Sequence, residues 1–209
     1  MHLLLTDRLT CPRCGPKFGL ILLANRLKDR NVHDGLLGCS NCRDSFLIEG
    51  GFGDLRAPPR SGLPPGFAGQ PGDLLLEQGQ QLLALLGVVG GTGTVALVGG
   101  PAGHGPLFAE HLGEAQVVGI DPDLRHWSAP TAFSRMFSAP GLPFFASSIR
   151  ALAIDGRLGG DLLAEAARVV SPHGRVVVSS ATESTLPMLE ETGLKILVAE
   201  AETVVAVLG

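Results

Sequence analysis

From residue 73 onward, short apolar runs alternate with segments of helical periodicity. Strand-like runs rich in Val, Leu, Ile and Ala recur at 94–98, 116–120, 134–138, 151–154, 175–179, 195–199 and 203–208. Helical patterns occupy 74–89, 107–112, 161–170 and 184–191, and residues 123–133 are irregular or weakly helical. The pattern therefore predicts seven strands and four main helices.

Strands that are apolar throughout and alternate with helices favour a largely parallel sheet with both faces covered. Asp73 and Asp161 precede helical patterns, where a carboxylate accepts the free backbone N–H groups of the first turn. The last two runs, 195–199 and 203–208, are expected to pair as a terminal hairpin. The predicted fold class is α/β, of Rossmann-like architecture.

The first 72 residues have a different character. Residues 1–56 contain all four cysteines, and residues 57–72 contain five prolines and four glycines. Proline lacks a backbone donor and glycine is costly to order, so 57–72 is expected to be a linker or an extended strap. The predicted division is 1–56, 57–72 and 73–209.

The cysteines form two Cys-x-x-Cys pairs, Cys11 with Cys14 and Cys39 with Cys42, separated by 24 residues. Two such knuckles can direct four thiolates to one tetrahedral ion, which suits Zn²⁺ and leaves no open position for catalysis. A rubredoxin-like iron centre has the same spacing and remains an alternative. Disulfides and redox thiols are also considered, and disulfides are disfavoured because no secretion signal is visible. The expected role of the metal is structural.

Composition narrows the class of protein further. Of 209 residues, 45% are hydrophobic and 17% charged, which excludes a disordered chain. The apolar runs reach about eight residues, far fewer than the ~20 of a membrane-spanning helix. A cytoplasmic protein is therefore expected. Residues 1–60 carry nine Lys/Arg against six Asp/Glu, and the remainder carries seven against fourteen, so a large nucleic-acid surface on the second part is disfavoured.

The cysteine region resembles a known family. The segments LTCPRCGPKFGLIL and GLLGCSNCRDSFLIEGGFGDLR are similar to the zinc-ribbon activator subunits of tRNA and protein methyltransferases. In that family a tail with two prolines follows the second knuckle, and here Leu47 and Gly53 replace them. The resemblance implies that residues 1–56 form a zinc ribbon that recognises a substrate or a partner protein.

A glycine-rich turn follows the first strand of the second part, in the sequence VALVGGPAGHG. Such a turn lets the backbone approach a nucleotide-like ligand closely. Asp121 follows the next strand, 22 residues after Gly99, where a carboxylate can hold a ribose diol.

Residues 73–209 resemble a class I S-adenosylmethionine (SAM)-dependent methyltransferase, most specifically in the segment LLAEAARVVSPHGRVVV. The resemblance implies a seven-stranded sheet and a SAM site built on Gly99, Gly100, Gly103 and Asp121. Three positions depart from the family's pattern. Leu97 replaces an acid, Pro101 replaces the second glycine and Ser138-Ala139 replaces an acid after the third strand.

Other candidate residues have two interpretations each. Asp155 ends the fourth strand and could accept a proton or position a substrate, or could form the turn with Gly156. Trp127 could stack on a base or fill the core, with the core favoured. His104 lies in the glycine loop, where a surface role is favoured.

Two functions follow from these observations. In the first, the chain transfers a methyl group from SAM to a small-molecule, protein or RNA acceptor, mainly by proximity and orientation. In the second, it has lost cofactor binding and acts as a binding or scaffold protein, with the zinc ribbon as a docking surface.

Overall fold

The structure, a computed structural model, describes residues 1–71, 74–128 and 132–209. The proposed helix cap Asp73 and part of the irregular segment 123–133 lie outside the described residues. No helix among those described is long and apolar enough to cross a membrane.

The described residues form twelve strands and five α-helices. The strands are β1 Thr10–Cys11, β2 Gly15–Lys28, β3 Asn31–Cys39, β4 Ser45–Glu49, β5 Phe52–Arg56, β6 Thr94–Val98, β7 Gln116–Ile120, β8 Phe133–Ala139, β9 Ala151–Asp155, β10 Arg175–Ser179, β11 Leu194–Glu200 and β12 Thr203–Leu208. The helices are α1 Leu3–Thr6, α2 Leu76–Leu86, α3 Gly105–His111, α4 Gly160–Val169 and α5 Thr185–Glu191, with 3₁₀ turns at Gly100–His104, Pro122–His126 and Gly156–Leu158. The seven predicted strands and the terminal hairpin are confirmed.

All twelve strands belong to one sheet, in the order β1-β2-β3-β4-β5-β8-β7-β6-β9-β10-β12-β11. The prediction of a seven-stranded sheet is therefore wrong. Strands β6–β12 are the seven that were expected, and the cysteine region extends their sheet instead of folding apart from it. The extension is possible because β5 hydrogen-bonds in parallel to β8, from Phe52 opposite Arg135 to Arg56 opposite Ala139.

The core lies on both faces of this sheet. On one face, the buried side chains of the cysteine region and of β9 and β10 belong to a single apolar cluster that includes Cys11, Cys39 and Ile154. On the other face, α2 lies against β9 and β10 and α3 lies against β7 and β8, with Leu97, Phe108 and Trp127 in a second cluster. The cysteine region thus shares a core with the rest of the chain.

One buried cation joins the cysteine region to the sheet. Arg135 on β8 is 8% exposed, and its guanidinium donates to the carbonyl oxygens of Leu124 and Trp127 and, at 2.7 Å, to that of Gly50 in the β4–β5 turn. Burial lowers the pKa of Arg135. Because three backbone carbonyl oxygens converge on it, this side chain fixes the turn against the sheet.

We expect Arg135→Met to lower the free energy of unfolding by about 2–4 kcal/mol, since the substitution removes three hydrogen bonds from a charged donor, two of them buried. The matched control is Arg26→Met on β2, where the arginine is 64% exposed and pairs with Asp34. That control should change stability by less than about 0.5 kcal/mol. Urea unfolding of both variants checks the prediction, and equal effects would contradict it.

Candidate functional site

The two cysteine pairs meet at one point. Their four Sγ atoms lie within 4.8 Å of one another. The Sγ atoms of Cys11 and Cys42 are 3.7 Å apart, and those of Cys39 and Cys14 are 3.8 Å apart. A tetrahedral ion with Zn–S bonds of about 2.3 Å requires S–S edges of about 3.8 Å, so the geometry fits such an ion.

The surroundings of the cluster shift the pKa values of its thiols in opposite directions. The Cys14 amide donates to Cys11 Sγ at 3.4 Å, and Asn41 Nδ2 donates to Cys14 Sγ at 3.3 Å. Burial opposes ionisation of Cys39, but the backbone amides of Cys42 and Asn41 and the neighbouring thiols outweigh it and lower its pKa to about 7. Burial, with the same crowding of thiols, raises the pKa of Cys42 to about 12. A divalent cation supplies the positive charge that lets all four ionise together.

Four thiolates would close the coordination sphere of a tetrahedral ion, so a metal bound here would be structural and would have no position for a substrate. Cys11 and Cys39 are buried, and they anchor the centre in the apolar cluster shared with β9 and β10. A bound metal would therefore stabilise the strands of the cysteine region, β1–β5, which join the rest of the sheet where β5 pairs with β8.

A second candidate site lies at the carboxyl ends of the parallel strands. β6 ends at Val98, and Gly99 follows with a φ of 71°, a left-handed conformation that glycine adopts without strain. Its amide donates to the Ile120 carbonyl oxygen at 3.1 Å. Gly100 donates its amide to Asp155 Oδ2 at 3.3 Å. These two donors of the glycine loop are therefore engaged by the chain itself.

Asp121 lies where predicted, at the carboxyl end of β7, but it is 2% exposed. Its Oδ2 accepts the backbone N–H of Phe67 at 2.9 Å, and its Oδ1 accepts that of Asp123 at 2.9 Å. Burial raises the pKa of Asp121 despite these donors. The carboxylate expected to hold a ribose is bound to residue 67 of the same chain.

The segment of residues 62–71, called the strap here, fills the space between Asp121 and the glycine loop. Asp123 Oδ2 accepts the Gly69 N–H at 3.1 Å, and Ala68 is fully buried. A Cβ atom on Gly66 would overlap the Asp121 carboxylate. On the other side, a Cβ atom on Gly103 would lie 2.7 Å from the Ala68 carbonyl oxygen. The glycines of the loop thus make room for the strap.

Trp127 holds the strap from the side. Its Nε1 donates to the Gly69 carbonyl oxygen at 3.2 Å, and the side chain is 5% exposed within the second apolar cluster. The structure thus places Trp127 in the core, which is the role that the sequence favoured. His104 is partly buried near Gly79, and burial lowers its pKa.

Asp155 is 1% exposed at the end of β9, and both of its oxygens are engaged. Oδ1 accepts the Arg157 amide at 3.0 Å and Nε at 2.9 Å, and Oδ2 accepts Arg157 Nη2 at 2.6 Å. The guanidinium also lies 4.5 Å from the centroid of the Phe67 ring. Arg157 therefore links Asp155 to the strap.

A cavity of about 380 Å³ remains beside this pair. Its polar lining comes from α2 and from the ends of β10 and β12, and it includes Gln78, Gln81, Ser179 and Thr203. Leu97, which stands where an acid was expected, is fully buried in β6, and Pro101 has no N–H to offer. The cavity thus lacks the acid that would organise a cofactor's charged end.

With the strap in place, SAM does not fit the site that the sequence predicts. The strap's backbone takes the ribose-binding carboxylate, and Ala68 lies against the glycine loop. Sequence reasoning missed Gly66, Phe67, Gly69 and Arg157. The glycines at 66 and 69 were the available signal, since small residues permit close approach of backbones.

Comparisons with known proteins identify no family for this chain. No family model and no curated protein matches this sequence. Similar solved structures include a geranyl diphosphate methyltransferase in complex with SAM (17% identity, 66% of this chain and 78% of that one, TM-score 0.49). A TehB-like SAM-dependent methyltransferase from Corynebacterium glutamicum matches at 18% identity (65% and 88%, TM-score 0.47).

A chain from a complex of the Haloferax volcanii Trm112 methyltransferase activator also matches, at 16% identity (59% of this chain and 69% of that one, TM-score 0.49). The similar structures thus include SAM-dependent methyltransferases, and the chain itself has an α/β fold with a four-cysteine cluster. At these identities, the ligand of the chain has to be inferred from its own geometry.

We expect the purified protein to contain one tetrahedral metal ion per chain and Cys39→Ser to lose most of it, because a ligand is removed from a closed site. Ser40→Ala, at the exposed neighbouring position, is the matched control and should retain the metal. Elemental analysis and thermal unfolding with and without a chelator provide the measurement. Freshly purified protein with neither zinc nor iron would refute the assignment.

Proposed function

We propose that this chain is a metal-stabilised binding protein of methyltransferase-like fold whose cofactor cleft is held by its own strap, so that it does not use SAM. Zinc is the proposed ion, bound by the four cysteines. The observation that carries the proposal is the hydrogen bond from the Phe67 amide to the buried Asp121 carboxylate.

A ligand that reaches Asp121 would first have to displace the strap. Admitting a ribose at Asp121 breaks the Phe67–Asp121 and Gly69–Asp123 hydrogen bonds and moves the buried Ala68. Hydrogen bonds to charged groups contribute about 1.5–3 kcal/mol each. A ligand that must first break two of them loses at least about two orders of magnitude in apparent affinity.

The glycine loop offers little compensation for that cost. Leu97 presents a buried aliphatic side chain where the family has an acid, and Pro101 has no amide to donate. The amide of Gly100 is already bound to Asp155. A cofactor would therefore gain few hydrogen bonds from the glycine loop in return.

The proposed site assignments follow from this interpretation. Gly103 and Asp121 contact the strap instead of a cofactor, and the amides of Gly99 and Gly100 bind Ile120 and Asp155. Asp155 positions Arg157 against the strap. The three-part division at 1–56, 57–72 and 73–209 describes the sequence, with the cysteine region as the surface for a partner.

A second candidate function is methyl transfer after the strap has been displaced. The order β8-β7-β6-β9-β10-β12-β11 favours it, as does the position of Asp121 and Asp155 at the carboxyl ends of β7 and β9, the parallel strands on either side of β6. In that case a substrate or partner protein would have to bind the strap in its displaced position. The acceptor could be a small molecule, a protein or RNA.

Gly66→Ala separates the two functions, because its methyl group would overlap the Asp121 carboxylate and push the strap outward. Gly62→Ala is the matched control, since a Cβ atom there meets nothing within 4 Å. Trp127 is the only tryptophan and touches the strap, so we expect its fluorescence to shift to the red in Gly66→Ala alone.

Calorimetric titration with SAM and with S-adenosylhomocysteine then tests function. We expect no binding to the wild-type protein or to either variant, since displacing the strap does not restore the missing acid at Leu97. Binding by Gly66→Ala alone would instead establish the second candidate function. Micromolar binding by the wild-type protein would refute the proposed function.

A further inference from the structure

A cavity of about 410 Å³ lies at the opposite edge of the sheet from the strap, where β9 and β10 begin. Three parts of the chain line it: residues 86–88 at the end of α2, residue 150 before β9, and residues 171–175 in the turn before β10. The lining contains two arginines, Arg150 and Arg175, and neither Asp nor Glu. The cavity is therefore positively charged.

This charge is unusual for its part of the chain. Residues 61–209 carry fourteen Asp/Glu and only seven Lys/Arg. Three of the seven cations pair with a carboxylate, and a fourth is the buried Arg135. Arg150 and Arg175 form no ion pair within the part of the chain that the structure describes, although acids outnumber bases there two to one. Their positive charge is available to an anion from outside the chain.

Backbone carbonyl groups hold both guanidinium groups in place. Arg150 Nη1 donates to the carbonyl oxygens of Gly90 and Thr92, and Arg175 Nη1 donates to that of Leu85 at 3.0 Å. The Nε and Nη2 atoms of both arginines have no hydrogen-bond partner among the described residues. Two adjacent N–H groups of a planar guanidinium match two oxygens of a phosphate group. Each arginine thus keeps donors for a bidentate contact.

Glycines make room for the two guanidinium groups. A Cβ atom on Gly87 would lie 2.6 Å from Arg175 Nη1, and one on Gly91 would lie 3.2 Å from Arg150 Nη1. Gly87 also has a φ of 63°, a left-handed conformation that glycine adopts without strain. Because the loop positions both side chains before a ligand arrives, less conformational entropy is lost when the ligand binds.

The rest of the lining indicates the size and chemistry of the ligand. Ser171 is half-buried and His173 is exposed, and both can add hydrogen-bond donors. Leu86 and Val88 form an apolar wall. A volume of about 410 Å³ accommodates a phosphate group together with a small organic remainder.

We propose that this cavity binds a phosphate dianion through Arg150 and Arg175, supplied either by a small phosphate monoester or by free phosphate. None of the lining residues belongs to the strap or to the cysteine region. The proposal therefore goes beyond the proposed function and does not depend on whether the chain binds SAM.

Isothermal titration calorimetry of the metal-loaded full chain tests the proposal, at about pH 8, where a phosphate monoester is a dianion. Glycerol 3-phosphate and inorganic phosphate are separate titrants, and sodium chloride of equal ionic strength is the blank. We expect saturable binding with one site per chain. Tighter binding of glycerol 3-phosphate would identify a monoester as the ligand, and equal or tighter binding of inorganic phosphate would identify free phosphate. No saturable binding of either titrant would overturn the proposal.

Substitution of either arginine should weaken binding. We expect Arg150→Gln and Arg175→Gln each to raise the dissociation constant at least about tenfold, because each removes hydrogen bonds from a charged donor. The matched control, Arg30→Gln, removes the same charge from an exposed position in the β2–β3 turn and should have little effect.

A further variant leaves both arginines and their bonds to the loop in place. Ser171→Asp introduces a carboxylate into the cavity and should abolish binding, because the carboxylate repels the anion and competes for the arginines. Ser184→Asp adds the same charge at an exposed position after the carboxyl end of β10 and should leave binding unchanged. Urea unfolding shows whether each variant is folded. Binding that survives Ser171→Asp, or that is lost equally in both aspartate variants, would contradict the assignment of the ligand to this cavity.

Discussion

A buried carboxylate has to be satisfied by donors, and Asp121 obtains backbone N–H donors from the strap. This requirement organises the carboxyl-terminal edge of the sheet. The Phe67 amide meets Asp121, the Gly69 amide meets Asp123, and Trp127 closes the contact from the other side. The strap is therefore held to the sheet by these backbone bonds and by the buried Ala68, although its composition is that of a linker. This cleft differs from a nucleotide site in that a segment of the same chain occupies it.

The strap also explains how the two parts of the chain act as one. It begins just after β5, which pairs in parallel with β8, and it ends near α2, which covers the opposite face of the sheet. The four-cysteine centre, Arg135 and the strap are thus three successive attachments of the amino-terminal region to one sheet. Each replaces what would otherwise be a movable contact between domains, and together they favour a rigid scaffold over a cleft that opens.

The sequence predicted local elements well and their long-range partners poorly. The bounds of β6, β7 and β10 follow from short, wholly apolar runs, because each is buried on both faces. The metal cluster follows from cysteine spacing. By contrast, no local pattern indicates that Phe52–Arg56 pairs with β8. The predicted number of strands in the sheet, seven, was therefore wrong. The strap's contact with Asp121 joins residues 54 positions apart through a backbone amide, which has no side-chain signature.

Hydrogen exchange at single backbone amides tests most directly whether the strap occupies the cleft. The Phe67 and Gly69 amides should exchange far more slowly than the amide of Gly62, which lies at the exposed start of the strap. Adding SAM at millimolar concentration should leave that protection unchanged. Exchange of the Phe67 amide as fast as that of Gly62, or loss of its protection when SAM is added, would show that the cleft is open to a ligand and would contradict the account.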